Sequence, residues 1–334
     1  SHNLYKHHKT PLFMHTVTPW EVKGKIDYDR LMKEFGLQPL QYLPKQFQKL
    51  PIFRRGIVFA HRDFNKITDA IKQKKKFVMM TGLMPSGKFH FGHKMVADQI
   101  IFYQSLGAKI YLTVADIEAY NSRIPDMKQL RDTAIQEYLL NYVALGVDLK
   151  KCDFYFQSNR STDGKKSNAY YTLSNLLARH VTFNEMQAIY GELSPGKMSS
   201  ALLQASDMLH PQLKEFEGTP LPIIIPVGAD QDPHLRLARD LSQRIKQFKF
   251  TQISSTYHKF MPGLGGGKMS SSDENSYIAL TDTPEEAARK IKKYAFSGGQ
   301  ATLEEHRRLG GNPDIDVSYQ MLRYGLEPDD KKLQ

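Results

Sequence analysis

A single cysteine, Cys152, stands in a chain of 334 residues. That scarcity excludes a disulfide framework within the chain and a cysteine-rich zinc site, and it points to a reducing, cytoplasmic setting. No apolar run approaches the roughly 18 residues that suggest a membrane helix. The opening SHNLYKHHKT is polar and basic and has no apolar core of a secretory signal. Tryptophan is nearly missing too, with Trp20 the sole one. Acidic residues are outnumbered, 35 against 46 basic, for a net charge of +11. The imbalance sits at the start: residues 1–76 hold 16 Lys and Arg against 6 Asp and Glu, a surplus of +10. Such a surface attracts polyanions, nucleic acid among them, although a merely well-solvated basic face has the same composition.

What is present is an alternating pattern. Residues 1–75 read as an N-terminal extension. TVTPWEVKG is extended chain broken by Pro19, and DYDRLMKEFG is a short helix with Asp27 as N-cap and Gly36 as stop. HRDFNKITDAIKQKKK is an amphipathic helix with Phe64, Ile67 and Ile71 near helical spacing. Over 76–282 the pattern changes. KFVMMTG, AKIYLTVAD, KCDFYFQS and LPIIIPVGAD read as buried strands, separated by helices. These helices run from Gly92 through Leu106, through MKQLRDTAIQEYLLNYVALG to Gly146, and along LRLARDLSQRI. The alternation predicts an α/β protein with a doubly wound parallel sheet. Ligands in such sheets bind beyond the carboxyl ends of the strands, here TGLMPSG, ADIEAYN and GADQDPH. Residues 283–334 read as a smaller all-helical region that opens on Thr283 as N-cap, Pro284, and two glutamates in the first turn.

The first strand–helix junction, TGLMPSGKFHFGHK, matches neither G-x-G-x-x-G nor G-x-x-x-x-G-K-[ST]. It places His90 and His93 around Gly92 at a helix start. There free N–H groups and imidazole donors can meet phosphate oxygens, and a bare glycine lets a flat base approach. Lys-Met-Ser-Ser occurs twice. The run at Gly267 follows the glycine-rich HKFMPGLGGG, which makes Lys268 the candidate phosphate grip. The run at Gly196 leads directly into an apolar helix, and it reads as a helix lead-in lining a pocket.

PSGKFHFGH resembles the HIGH signature of class I aminoacyl-tRNA synthetases, and GKMSSS resembles their Lys-Met-Ser-Lys-Ser loop, with Ser271 at the usual second lysine. VTPWEVKG, HVTFNEM, GADQDPHLRLARD, KMSSSDENSYIALTD and AFSGGQATLEEHRRLGGNPDIDVS are similar to the archaeal and eukaryotic tryptophan-specific branch, along nearly the whole chain. The resemblance implies a Rossmann-like catalytic domain, a helical anticodon-binding part and a homodimer. It also implies tryptophan, ATP with Mg²⁺, and tRNA(Trp) as ligands. It assigns catalysis to His90, His93 and Lys268. It places Gly82, Pro85, Gly92, Asp230, Gln231, Met269, Ser270 and Ser271 around ATP. Met80, Thr113, Glu118, Gln204 and Asp207 fall around the amino acid, with Asp116 beside Glu118 at the ammonium.

Two positions depart from the branch, since Met80 and Thr113 stand where a Tyr and a Gln usually hold the indole N–H. Asp207 is an aspartate that both bacterial tryptophan enzymes and tyrosine enzymes carry. Met80 cannot bond a phenol but packs on an aromatic face, which favours indole. A tyrosine-specific enzyme, a small nucleotidyltransferase and a non-enzymatic tRNA-binding relative are the alternatives. The chain ends at DDKKLQ, where that branch continues with more helix, so either the helical C-terminal part is short or its tail lies outside this sequence.

Overall fold

The structure, a computed structural model, describes residues 16–17, 22–23, 26–271 and 273–334. Pro19 and Trp20, in the stretch read as broken extended chain, lie outside them. The flanking Thr16–Val17 and Val22–Lys23 pair antiparallel.

The core is one seven-stranded sheet: β1 (Gln38–Pro39), β2 (Val58–Arg62), β3 (Val78–Leu83), β4 (Lys109–Val114), β5 (Cys152–Phe156), β6 (Ile223–Gly228) and β7 (Ser254–His258). Their spatial order is β1-β2-β7-β6-β3-β4-β5. The five strands from β7 to β5 are parallel. They include the four expected from the sequence. Apolar side chains pack on both faces of these strands in two clusters, as doubly covered strands require. β7 was hidden, because Ser-Ser-Thr-Tyr-His does not read as an apolar run, yet all five residues are buried. β2 went unread, and its last two residues, His61 and Arg62, fall in the stretch read as helix. The helix begins at Phe64, and β2 joins the sheet antiparallel to β7, with β1 antiparallel beyond it. The doubly wound parallel sheet therefore carries an antiparallel margin, supplied by the segment read as an extension.

Helix ends follow local chemistry. Asp27 accepts hydrogen bonds from Asp29 N and Arg30 N, and Gly36 closes the same helix at φ 63°. Thr283 caps helix Pro284–Tyr294. The long helix after Asp126 carries a π segment, Ala134–Leu139, before Gly146 ends it in the left-handed conformation. No helix among the described residues is long and apolar enough to cross a membrane.

Asp232 ties the antiparallel margin to the parallel core. Its side chain is fully buried; it receives Arg62 Nε at 2.9 Å, Arg62 Nη2 at 3.0 Å and the Tyr257 hydroxyl at 2.5 Å. Arg62 also donates to the carbonyls of Phe35 and Gly36, holding the end of the helix Tyr28–Phe35. Replacing Arg62 with methionine strips a buried carboxylate of its main cation. It should cost about 2–3 kcal/mol of stability, read from denaturant midpoints.

Candidate active site

A cleft of about 410 Å³ opens at the carboxyl ends of the parallel strands, where doubly wound sheets bind ligands. Every parallel strand contributes. Met80 and Gly82 come from β3 and Thr113 from β4; Gln157 follows β5, Gly228 ends β6, and His258 ends β7. Three helices complete it: α1 (Phe91–Ser105), α2 (Asp116–Ser122) and α3 (Pro195–Leu209). Of the sequence-predicted site residues, His90, Gly92, His93, Glu118, Gln204, Asp207, Asp230, Gln231, Lys268, Met269, Ser270 and Ser271 line this one cleft, together with Met80, Gly82 and Thr113. Pro85 does not, although its neighbours Met84 and Ser86 do. Asp116 is turned away. It is buried, accepts from Ser158 N and Ile117 N at 3.0 Å and from the Ser158 hydroxyl, and so braces the loop after β5.

His90 is the N-cap of α1. Its Nδ1 accepts from Gly92 N at 3.1 Å, and His93 Nδ1 accepts from His90 N at 3.2 Å. The rings stack with centroids 3.9 Å apart. With both Nδ1 atoms used as acceptors, the proton of each neutral ring sits on Nε2. Burial pushes His90 down to about 4, helped by the nearby Lys268 charge; burial also pushes His93 well below the usual range, helped by His90. The pair is thus a fixed set of neutral N–H donors. Gly92 has a reason beyond approach of a base. A Cβ there would stand 3.0 Å from the His90 ring, in the space the cap occupies.

Lys268 lies across the cleft. Its Nζ is 2.8 Å from Asp230 Oδ2 and 4.6 Å from the centre of the Phe260 ring. Its loop is tied to the junction after β3 at two points. Ser271 Oγ is 3.2 Å from Ser86 Oγ, and Leu280 N donates to Phe89 O at 2.9 Å. At Gly87 an added Cβ would come within 2.7 Å of the Ser271 carbonyl oxygen. Gly87→Ala should therefore push the two loops apart. The expected result is about a tenfold fall in kcat/KM for ATP with Tm nearly unchanged.

At the other end, Asp207 is fully buried and accepts three side-chain hydrogen bonds, from Tyr155, Gln157 and Tyr170. Burial pushes Glu118 up to about 7, with Asp207 adding repulsion. Gln204 Oε1 and His258 Nδ1 are buried with no hydrogen-bond partner, as groups awaiting a ligand would be. Sequence reasoning missed Gln157, His258, Phe260 and the two tyrosines. Gln157 could have been found, since it directly follows a strand's carboxyl end. The run at Gly196 forms the first turns of α3, with Ser194 as N-cap. The helix lead-in is there, but Gln204, Asp207 and Met208, further along, are what line the cleft.

The family described as tRNA synthetases class I (W and Y) matches residues 72–333. A tryptophan--tRNA ligase of Aeropyrum pernix is 47% identical over 322 residues, covering 95% of this chain and 84% of its own. One from Hyperthermus butylicus is 45% identical over 323 residues, with the same shares covered. The crystal structure of the Aeropyrum pernix tryptophanyl-tRNA synthetase superposes with a TM-score of 0.85, covering 92% of this chain and 83% of that one. The two signature loops meet over one cleft in a chain this similar along its length, and the chain belongs to the class I tRNA synthetases of the tryptophan and tyrosine family.

Proposed function

We propose that this chain is a tryptophan--tRNA ligase that forms tryptophanyl-adenylate from tryptophan and ATP and then transfers the tryptophan to tRNA(Trp). The observation that carries this reading is the polarity of the cleft. Neutral imidazole donors and the Lys268 ammonium stand at one end, and the buried Asp207 carboxylate and the buried Met80 side chain line the rest of the same cleft. The first end suits a polyphosphate; the rest suits a flat apolar ring with one N–H. The high identity to tryptophan--tRNA ligases supports indole over the phenol of tyrosine.

In the first step a tryptophan carboxylate oxygen attacks the α-phosphorus of ATP. The bond to the β-phosphate bridging oxygen breaks, and pyrophosphate leaves. No protein bond forms, so the chain acts by positioning and by meeting charge. His90 and His93 donate from Nε2 to phosphate oxygens. Lys268 exchanges Asp230 for the departing pyrophosphate, and Asp230 and Gln231 then hold the nucleoside side. Glu118 pairs with the substrate ammonium, and Asp207 accepts the indole N–H. Mg²⁺ bound with ATP supplies further charge neutralisation. Among the described residues no group of three or more His, Cys, Asp or Glu forms a cage for it. In the second step the terminal ribose hydroxyl of tRNA attacks the activated carbonyl, releasing AMP.

Residues 283–334 are proposed as the anticodon-binding region and the basic segment 1–75 as part of the tRNA surface. A second copy of the chain is the proposed partner, and the cytoplasm the proposed site. Aminoacylation tests the reading: the chain, ATP, Mg²⁺ and labelled tryptophan should charge tRNA(Trp). Label transfer from tyrosine to tRNA(Tyr) instead would refute it.

A further inference from the structure

The two oxygens of Asp207 are used unequally. Oδ1 accepts the hydroxyls of Tyr155 and Tyr170, both at 2.7 Å. Oδ2 accepts Gln157 Nε2 at 2.7 Å. A carboxylate offers about four acceptor positions, so one is left, on the oxygen shared with Gln157. Gln157 lines the cleft, whereas Tyr155 and Tyr170 lie outside its lining and are buried behind Asp207. Gln157 is itself fixed from the other side, where its Oε1 accepts Glu118 N at 3.3 Å.

A second layer holds the first. Arg160 is buried, forms a fork with Asp153 at 3.0 and 2.9 Å, and lies 4.0 Å from the centre of the Tyr155 ring. Its Nε donates to His210 Nε2 at 2.9 Å. His210 Nδ1 then donates to the Ser206 and Asp207 carbonyls, at 2.9 and 3.1 Å, fixing the end of α3 that carries Asp207. None of this is needed to fill a core, for which phenylalanine and leucine would suffice. It is a scaffold that fixes one acceptor.

We propose that Tyr155 and Tyr170 are positioning residues for substrate selection: by occupying Oδ1 they keep Asp207 a carboxylate with one vacant acceptor site, which selects amino acids bearing a ring N–H. This rests on the tryptophan reading above and deepens it. The groups facing Asp207 are Tyr155 and Gln157 at β5, Arg160 beyond it, Tyr170 and Tyr171 on helix Gly164–Leu177, Glu118 on α2 and His210 after α3. Burial pushes Asp207 up to about 6, against the three hydrogen bonds and Arg160, which pull it down. Removing one phenol therefore moves its titration toward neutrality.

The test uses ATP–pyrophosphate exchange from about pH 5.5 to 8, with tryptophan and with β-(benzothiophen-3-yl)alanine, in which sulfur replaces the N–H. Taking the ratio of the two kcat/KM values cancels Glu118, the histidines and Lys268, which serve both substrates. For the wild type the ratio should be roughly 10–100 at high pH and fall off near pH 6. Tyr155→Phe and Tyr170→Phe should each raise that fall-off by about one pH unit. At pH 6 this is about a fivefold loss for tryptophan, while the analogue changes by less than about twofold. Equal losses with both substrates, and an unmoved fall-off, would mean that the phenols only pack. Should the variants not fold, the wild-type ratio still decides, because a ratio flat across the range overturns the proposal. Absence of any exchange with tryptophan would instead sink the functional reading beneath it.

Discussion

Replacing Lys268 with alanine is expected to slow tryptophan-dependent ATP–pyrophosphate exchange by about 10²–10³-fold. The size follows from its proposed role as the grip on the departing pyrophosphate. It is the only cation of the Lys-Met-Ser-Ser loop, because Ser271 stands at the usual second lysine, so no neighbour in that run can substitute. The ground state loses little. The ion pair with Asp230 is partly open to solvent, the lysine side chain being 37% exposed, and such pairs contribute about 0–1 kcal/mol. The variant should therefore keep its Tm and its KM for tryptophan within about twofold, with the loss in kcat. A fall in Tm matching the fall in rate would show that Lys268 is a structural lysine. A variant of near-wild-type rate would move the phosphate grip elsewhere, and Lys197, in the first turn of α3 with its Nζ near the Glu192 carbonyl, would have to be tested next.

The second large effect is on stability in mild acid. Burial pushes His90, His234 and His258 down to about 4, and pushes His93 and His210 well below the ordinary value of 6.5. These depressed histidines stay neutral in the folded chain while their unfolded counterparts take up protons below 6.5. Their contribution is present above that pH and is lost as pH falls. Glu118 and Asp207 act oppositely. Their folded values are raised to about 7 and about 6, so the folded chain binds their protons first. These five histidines against two carboxyls leave about three extra protons on the unfolded chain near pH 5.5, a slope of about 4 kcal/mol per pH unit, and His61, which burial also lowers, adds in the same direction. Urea midpoints measured at pH 7.5, 6.5 and 5.5 should drop steeply in the last interval. A flat profile would mean that the imidazoles are charged in the folded chain, and the neutral-donor account of His90 and His93 would fail with it.

Much of the architecture was legible because local signals were unopposed. Asp27 and Gly36 bound their helix by cap and turn chemistry alone, and four parallel strands show as apolar runs between helices. Three strands were not legible, for different reasons: β1, Gln38–Pro39, is only two residues long and carries no pattern to read. β7 is buried through polar side chains that tertiary partners satisfy. In Val58–Arg62 the strand runs straight into a helix, with only Asp63 between, at φ 51°. The site divides in the same way. His90, His93 and Lys268 sit in short motifs whose chemistry is local. Tyr155, Tyr170 and Arg160 act on Asp207 only because β5 and helix Gly164–Leu177 fold against α3, and no spacing in the chain encodes that meeting. Gly92 was legible as a needed glycine but not for its nearest neighbour, the His90 ring.

A cleft lined by Met80 and Asp207 should activate tryptophan and reject tyrosine. Amino-acid-dependent ATP–pyrophosphate exchange, run side by side with both, tests it most directly. The expected result is exchange with tryptophan, at least about 10²-fold weaker exchange with tyrosine, and loss of the tryptophan signal in Asp207→Ala. Equal or greater exchange with tyrosine would contradict it: the Met80 and Asp207 argument would fall, and only the adenylation chemistry would stand.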